Sequence, residues 1–243
     1  YIVYDKSVFR LDNKELNKIV TKYYNKWKQT KYVKEYNDAY LDYYLEENNL
    51  NAKTKAELIS KNYTYGYVEN PPYEQLVNGK VAGIAGEYVD RVTRLSGINF
   101  KYKKYDTIED LEKAIDKGEV DLYFDYYNYN NNKYKSTLST FIEKYVVLGK
   151  EEDNHIVTSF ESMKDEPLAM LGNDSLYNYF SNNARAKIKI YDNIDELVKE
   201  SGSRLIVVDK EIYSHYQTTK FKKLKLLYTD TMMNDYKFMV KNN

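Results

Sequence analysis

The sequence predicts an α/β fold made of two similar lobes that are joined by strands crossing between them. Two observations support this prediction. Stretches with the two-residue alternation of strands take turns with stretches of helical periodicity from residue 63 to residue 228. In addition, an apolar stretch at 143–149 stands between two such series, so it would lead the chain from one lobe into the other. Strands within each lobe should therefore be parallel.

Composition limits the possible functions. At 243 residues the chain is long enough for a two-lobed domain with a substantial core. Its 37 basic and 37 acidic residues cancel, so nucleic acid and anionic membrane surfaces are poor candidate partners. The sequence has no cysteine and two widely separated histidines, so we expect no metal site and no cofactor.

The first 60 residues are predicted to be mostly helical. A strand is expected at 1–4, and Asp12 with Glu15 three residues later has capping-box spacing at the start of a helix. A second amphipathic helix is predicted at 32–45 and a short one at 56–60. Each long helix should bury its apolar face.

The first lobe begins with alternating tyrosines at 63–67, which predict a strand ended by Pro71 and Pro72. Asn78 and Gly79 predict a tight hairpin turn. The elements expected next are a helix after Gly83, a strand at 100–105, a helix begun by Thr107, and a strand at 120–124.

Polar residues at 125–138 predict a loop, which the crossing strand at 143–149 follows. The second lobe is predicted as strands at 167–171, 187–191, 204–208 and 224–228, alternating with helices at 175–183, 194–200 and 210–216. Residues 236–241 predict a strand that returns to the first lobe.

Three segments occur in order: GYVENPPYE, NGKVAGIAGEYVDRVTRLSG and FKYKKYDTIEDLEKAIDKGEVDLYF. This series resembles the first lobe of bacterial extracellular solute-binding proteins of the amino-acid-binding type, and the resemblance extends over roughly 63–243. It implies a type II periplasmic-binding-protein-like clamshell, also called a Venus flytrap. Such a clamshell has a ligand cleft between its lobes and closes by a hinge motion.

The resemblance also implies a domain organisation. Residues 1–52 resemble the closing strand and helices of a preceding similar domain, so we expect a tandem array. The bilobed domain is predicted at 53–243, with its first lobe at 61–145 and 235–243 and its second lobe at 150–232. The N-terminal helices either pack on the first lobe of this domain or stand apart. The first arrangement is favoured because an exposed apolar stripe is unfavourable.

Candidate ligand-binding residues follow the carboxyl ends of the predicted strands, where open α/β sheets bind ligands. They are Tyr67, Glu69, Asn70, Tyr73, Tyr126, Asn128, Asn130 and Lys133 in the first lobe and Gly172, Asn173, Ser175 and Asp209 in the second. The resemblance implies that Lys133 binds a ligand carboxylate and that Asp209 binds its amino group. However, Lys133 stands where arginine is usual, and Tyr126 where a small residue is usual. Asp209 is also a good helix N-cap.

We therefore expect an extracytoplasmic domain, at the cell surface or in the periplasm, that binds an amino acid or a similar polar solute. The resemblance further implies a membrane-anchored sensor with a cytoplasmic histidine kinase or cyclic-dinucleotide enzyme, for which tandem domains of this kind are typical. The alternative is the binding protein of an ABC-type amino-acid transporter. No catalytic residue is expected, because the sequence has no nucleophile elbow, Walker loop, Gly-rich dinucleotide fingerprint or His-Glu-x-x-His motif. An enzyme on this fold, such as a dehydratase, would need a buried acid and a hydroxyl facing each other across the cleft.

Overall fold

The computed structural model describes residues 11–129, 131–152, 154–172, 175–183 and 187–242. The strand predicted at 1–4 lies outside the described residues. The chain divides into two compact units, one formed by Tyr1–Lys61 with Arg91–Asn99 and the other by Asn62–Asp90 with Phe100–Asn243.

Helices α1 (Lys14–Thr30), α2 (Tyr32–Glu47) and α3 (Ala52–Ser60) belong to the first unit. The prediction that Asp12 caps α1 is wrong, because the N-cap is Asn13. The side-chain oxygen of Asn13 accepts hydrogen bonds from the backbone N–H groups of Glu15 and Leu16, at 3.0 and 3.1 Å. These N–H groups have no partner within the helix, so the residue whose oxygen reaches them begins it.

The apolar stripe of α1 is exposed, contrary to the expectation that this helix buries a face. No residue of α1 is buried, and Ile19 and Tyr23 are 54% and 70% exposed. By contrast, Leu41 and Leu45 of α2 are buried.

The remaining elements are β1 (Asn62–Val68), β2 (Gln75–Val77), β3 (Lys80–Ala82), α4 (Ile84–Ser96), β4 (Asn99–Tyr105), α5 (Ile108–Asp116), β5 (Leu122–Asp125), β6 (Tyr134–Ser136), β7 (Phe141–Lys150), β8 (Leu168–Leu171), α6 (Ser175–Asn183), β9 (Ile188–Tyr191), α7 (Ile194–Lys199), β10 (Leu205–Asp209), α8 (Lys210–Tyr216) and β11 (Leu224–Lys241). Short 3₁₀ helices occur at Phe160–Ser162 and Glu200–Gly202. The predicted alternation of strand and helix is confirmed in both lobes.

The main sheet has the strand order β4-β1-β5-β11-β7-β10-β8-β9. As predicted, strands within each lobe are parallel, since β1 pairs with β5, and β8 pairs with both β9 and β10. In the middle, β7 and β11 run antiparallel to each other. Strand β11 pairs with β7 along its first part and with β5 and β6 near its end. These two strands therefore join the lobes.

Two local predictions differ from the structure. The strands predicted at 224–228 and 236–241 are parts of one continuous strand, β11. The predicted loop at 125–138 contains β6, in which Tyr134 pairs with Lys241 of β11. Pairing with a neighbouring strand thus overrides the weak strand propensity of this segment.

The buried core continues from one lobe into the other. One cluster of buried apolar side chains includes Tyr65 and Val89 of the first lobe, Leu148 of β7, and Ile206 and Phe221 of the second lobe. The two lobes are therefore packed against each other where β7 and β11 cross.

Gly83 fixes the loop between β1 and the first-lobe helix α4. Its φ is +96°, and a Cβ atom there would lie 2.5 Å from the carbonyl oxygens of both Pro72 and Tyr73. These two oxygens accept hydrogen bonds from the N–H groups of Ile84 and Ala85, each at 3.0 Å. The loop that carries Tyr73 is thereby attached to the start of α4.

Candidate functional site

Asp209 ends the buried strand β10 and begins helix α8. It is 2% exposed. Its Oδ1 accepts hydrogen bonds from the backbone N–H groups of Glu211 and Ile212, at 2.8 and 3.0 Å. The prediction that Asp209 is an N-cap is therefore confirmed.

Two tyrosine hydroxyls complete the surroundings of this carboxylate. The hydroxyl of Tyr73 donates to Asp209 Oδ1 at 2.8 Å, and the hydroxyl of Tyr236 donates to Oδ2 at 2.6 Å. Tyr73 comes from the loop after β1 in the first lobe, whereas Tyr236 lies on β11, which crosses between the lobes. Three parts of the fold thus meet at one buried carboxylate.

The ring of Tyr73 is fully buried among other aromatic rings. Its centroid lies 4.9 Å from that of Tyr126, 5.7 Å from Phe124, 6.1 Å from Phe141 and 5.3 Å from Tyr236. The Phe141 ring is nearly parallel to it, with an interplanar angle of 4°, and the Tyr236 ring meets it edge to face at 68°. The predicted cleft is therefore filled by a side chain at this point.

Burial determines the protonation of this group of residues. Burial and the neighbouring charge of Asp209 raise the pKa of Tyr73 well above its ordinary value. Burial and the neighbouring Tyr126 and Asp209 do the same to the pKa of Tyr236. Burial also raises the pKa of Asp209, although the hydrogen bonds that it accepts oppose the shift. Both tyrosines thus keep their protons at neutral pH and act as donors.

A second buried carboxylate lies nearby. Glu143 of β7 is 1% exposed, and its Oε1 accepts a hydrogen bond from the hydroxyl of Ser175, at 2.7 Å. Ser175 is the first residue of α6 in the second lobe. Because Asp209 lies opposite Tyr145 in the β7–β10 pair, Glu143 occupies a diagonal position, for which spacings of about 7–8 Å are typical.

The structure therefore brings together some of the predicted site residues. Tyr73 contacts both Tyr126 and Asp209, and Ser175 binds the neighbouring Glu143. Tyr67 is buried in the same core cluster, where its ring stacks on Tyr65.

Glu69 and Asn70 shape the loop instead. Glu69 is exposed, and its carboxylate accepts hydrogen bonds from Lys104 at 2.6 Å and from the N–H of Leu76 at 3.2 Å. The hydrogen bond from Lys104 lowers the pKa of Glu69 below its ordinary value. The backbone N–H of Asn70 donates to the carbonyl of Glu74, at 2.7 Å.

Lys133 does not lie beside Asp209, although the resemblance implies that it would. Its ammonium group donates to the carbonyl oxygen of Asp116, at 2.8 Å, where α5 ends. Carbonyl groups at the end of a helix attract cations, and the chain enters β5 from this side. Lys133 therefore lies near the start of β5, whereas Tyr73 follows the end of β1 at the opposite edge of the first-lobe sheet.

The other predicted residues do not join the group around Asp209. Asn128 in the first lobe is exposed and has a φ of +56°. In the second lobe, the backbone N–H of Gly172 donates to the carbonyl of Tyr191 at 3.0 Å. Asn130 and Asn173 lie outside the described residues.

Three residues of the site were not predicted from the sequence. They are Phe141, Glu143 and Tyr236, all on the two crossing strands. A crossing strand necessarily passes the junction of the lobes, so its inward-facing residues could have been proposed. Glu143, a charged residue two positions before the apolar run 145–148, was the clearest available signal.

A surface pocket of about 300 Å³ lies elsewhere, at the amino ends of β8 and β10. Lys150, His155, Glu166 and Arg204 are among its lining residues, and no residue of the predicted site lines it. Among the described residues, no group of three or more histidines, cysteines and carboxylates could bind a metal ion. None of the helices in these residues combines the length and apolar character that crossing a bilayer requires.

No protein-family model matches the sequence, and no curated protein matches it. Solved structures do match. The BvgS periplasmic domain of B. pertussis has a TM-score of 0.62 at 15% identity, over 79% of this chain and 39% of that chain. The ligand-binding core of GluR0 with L-glutamate has a TM-score of 0.61 at 15% identity, over 76% and 86%. An ancestral arginine-binding protein bound to arginine has a TM-score of 0.58 at 19% identity, over 76% and 86%.

The fold is the two-lobed Venus flytrap fold. At these identities the likeness concerns the fold, and the predicted fold class is confirmed. Within this Venus flytrap, the bond between Tyr73 and Asp209 joins the two lobes directly.

Proposed function

We propose that this chain is an extracytoplasmic Venus flytrap domain that binds a small polar solute such as an amino acid. The main support is the meeting of Tyr73 and Asp209 from opposite lobes, where strands end and this fold class binds ligands. Two of the matching structures support a solute of this class, because one is a complex with L-glutamate and the other is bound to arginine.

We further propose that the domain is the sensing part of a membrane-anchored receptor with a cytoplasmic histidine kinase or cyclic-dinucleotide enzyme. A solute that enters between the lobes must first break the contact of Tyr73 with Asp209. Its apparent affinity is lowered by the fraction of molecules in which this contact is open. This loss of apparent affinity is a disadvantage for a transport protein, which must capture solute at low concentration. For a sensor, the same contact defines a single unliganded state.

The alternative is the binding protein of an ABC-type amino-acid transporter. The likeness to arginine-binding proteins supports it.

The two candidates differ in the unliganded state, because a transport protein must open to capture solute. The chain has no cysteine, so spin labels can be placed at exposed positions by Lys101→Cys and Glu196→Cys. The sensor proposal expects one short distance without ligand, whereas a distribution dominated by a longer distance supports transport.

Residues 1–52 are proposed to complete a preceding similar domain in a tandem array. The exposed apolar stripe of α1 supports this proposal, because such a stripe is expected to be covered in the intact protein.

Binding, rather than catalysis, is the proposed role. Tyr73 and Asp209 do form an acid and hydroxyl pair across the lobes, as an enzyme on this fold would need. However, Asp209 accepts four hydrogen bonds from protein groups, and the raised pKa of Tyr73 keeps its proton in place. The Tyr73 hydroxyl therefore keeps its proton near neutral pH, and both oxygens of Asp209 are occupied by donors from the protein.

A thermal-shift screen against amino acids, short peptides and organic acids tests the binding function. A ligand at a hundredfold over its Kd stabilises the folded protein by about 2.7 kcal/mol. The shift should be lost in Asp209→Asn and kept in the control Asp195→Asn, because Asp195 is exposed and pairs with Lys220. The proposal is contradicted if no compound raises the melting temperature, or if a compound raises it equally in wild type and Asp209→Asn.

A further inference from the structure

Tyr73 occupies a slot that other residues build. Two phenyl rings lie beside Tyr73 and also contact each other, with centroids 6.3 Å apart. Phe141 lies at 4° and Phe124 at 29° from the plane of the Tyr73 ring. Tyr236 presents an edge, and the Asp209 carboxylate accepts the hydroxyl at the far end. The slot therefore combines aromatic walls with one buried hydrogen-bond acceptor.

This combination selects for a particular chemistry. Stacked and edge-to-face rings favour a flat ring at centroid distances of 4.5–7 Å. A buried carboxylate requires a hydrogen-bond donor or a positive charge beside it. The Tyr73 side chain meets both requirements, so it shows which kind of molecule the slot accepts.

Tyr73 is also the most readily exchanged part of the slot. It comes from a loop, whereas Phe124, Phe141 and Tyr236 lie on strands of the main sheet. When Tyr73 leaves, Asp209 keeps the hydrogen bonds from Tyr236 and from the N–H groups of Glu211 and Ile212. An entering ring with a donor can replace the hydrogen bond and the ring contacts that Tyr73 gives up.

We propose, on the basis of the proposed solute-binding function, that the slot filled by Tyr73 is the ligand site. Its ligand is a small planar ring that bears a phenolic hydroxyl or an ammonium group. This ligand binds by displacing the Tyr73 side chain. Lys133, which the resemblance assigned to a ligand carboxylate, instead donates to the carbonyl of Asp116 at the other edge of the sheet, so the hydrogen-bonding group of this slot is the Asp209 carboxylate. The donor end of the ring therefore points towards Asp209.

Calorimetric titration with p-cresol, which reproduces the tyrosine side chain, tests this proposal. Wild-type protein should bind p-cresol weakly, and Tyr73→Ala should bind it at least tenfold more tightly. Toluene has the same ring without a donor, so Tyr73→Ala should bind it at least tenfold more weakly than p-cresol. Tyr123→Ala is the matched cavity control, because Tyr123 is equally buried but donates to the carbonyl of Tyr129.

Equal binding of p-cresol and toluene by Tyr73→Ala overturns the proposal, as does equal binding of p-cresol by Tyr123→Ala. If Tyr73→Ala does not fold, Tyr73→Phe serves instead, because it keeps the ring but loses the bond to Asp209. It should bind p-cresol more tightly than wild type, and unchanged affinity overturns the proposal.

The solute screen separates this inference from the general function. If the wild-type protein binds an acyclic solute but no ring compound, the ring proposal is refuted and the binding function is kept. Failure of every compound with wild type and both Tyr73 variants refutes both.

Discussion

The hydroxyl of Tyr73 and the carboxylate of Asp209 form a 2.8 Å hydrogen bond between residues 136 positions apart in the chain. One residue follows the first strand of the first lobe, and the other caps a helix of the second. This contact is a direct side-chain hydrogen bond between the two lobes. Changes to the pair should therefore alter both stability and ligand binding.

Tyr73→Phe should lower the free energy of unfolding by about 2 kcal/mol, because a hydrogen bond to a charged acceptor is lost while the ring packing remains. Tyr123→Phe is the control, since the Tyr123 hydroxyl donates to a neutral carbonyl at 3.2 Å. Its cost should be only about 1 kcal/mol. Urea unfolding monitored by circular dichroism measures both, and an equal cost would argue against a charged Asp209.

Asp209→Ala should cost about 3 to 5 kcal/mol, because it removes a helix cap and leaves two buried tyrosine hydroxyls without an acceptor. Asp209→Asn should cost less, about 1 to 2 kcal/mol, because asparagine caps helices almost as well and can still accept a hydrogen bond. The same unfolding experiment compares them. A similar loss in both variants would show that the negative charge, rather than the hydrogen bonds, stabilises this junction.

The stability of the protein should fall as pH rises towards 8. Glu74 is fully buried and accepts a hydrogen bond from the Tyr65 hydroxyl, and burial raises its pKa from 4.5 to about 8. Between these two values the folded state retains a proton that the unfolded state has released. Folding then binds a proton, so the free energy of unfolding decreases with increasing pH.

Glu74→Gln should remove most of this decrease, because glutamine does not ionise. Urea unfolding at about pH 5.5, 6.5 and 8 measures the slope for each protein. Asp125→Asn is the control. Burial raises the pKa of Asp125 to about 6, so this change should alter the slope only below that pH. An unchanged slope in Glu74→Gln between pH 6.5 and 8 would refute the assignment to Glu74.

Gly83→Ala should destabilise the protein by at least about 3 kcal/mol, since it combines an unfavourable positive φ with a clash against two backbone oxygens. Gly79→Ala is the matched control, because Gly79 also has a positive φ of 76° but a Cβ atom there meets nothing within 4 Å. Its cost should be about 1 kcal/mol. Comparable losses in thermal unfolding would show that the clash is relieved by movement of the Tyr73 loop.

Much of the fold could be predicted from local sequence signals. Helices α6 and α8 begin and end at the predicted residues, and Asn78 with Gly79 forms the predicted hairpin between β2 and β3. These features depend on caps, turns and periodicity within a few residues. The strand at 134–136 was missed because it depends on pairing with β11, which lies about a hundred residues later in the chain.

The site was predictable only in part. The rule that ligands bind at strand ends identified Tyr73 and Asp209 separately, but no local pattern shows that their side chains bind each other. Lys133 was assigned by its position in the resemblance, whereas its placement is determined by the helix end at Asp116. Tyr236 was recognised as part of a strand, but its role depends on where that strand crosses the lobes.

Titration calorimetry of wild type and Asp209→Asn with the solute identified by the thermal-shift screen tests the central claim most directly. If the solute binds where Tyr73 meets Asp209, the variant should lose affinity at least tenfold while remaining folded. Equal affinity in the two folded proteins would place the binding site elsewhere and contradict the account.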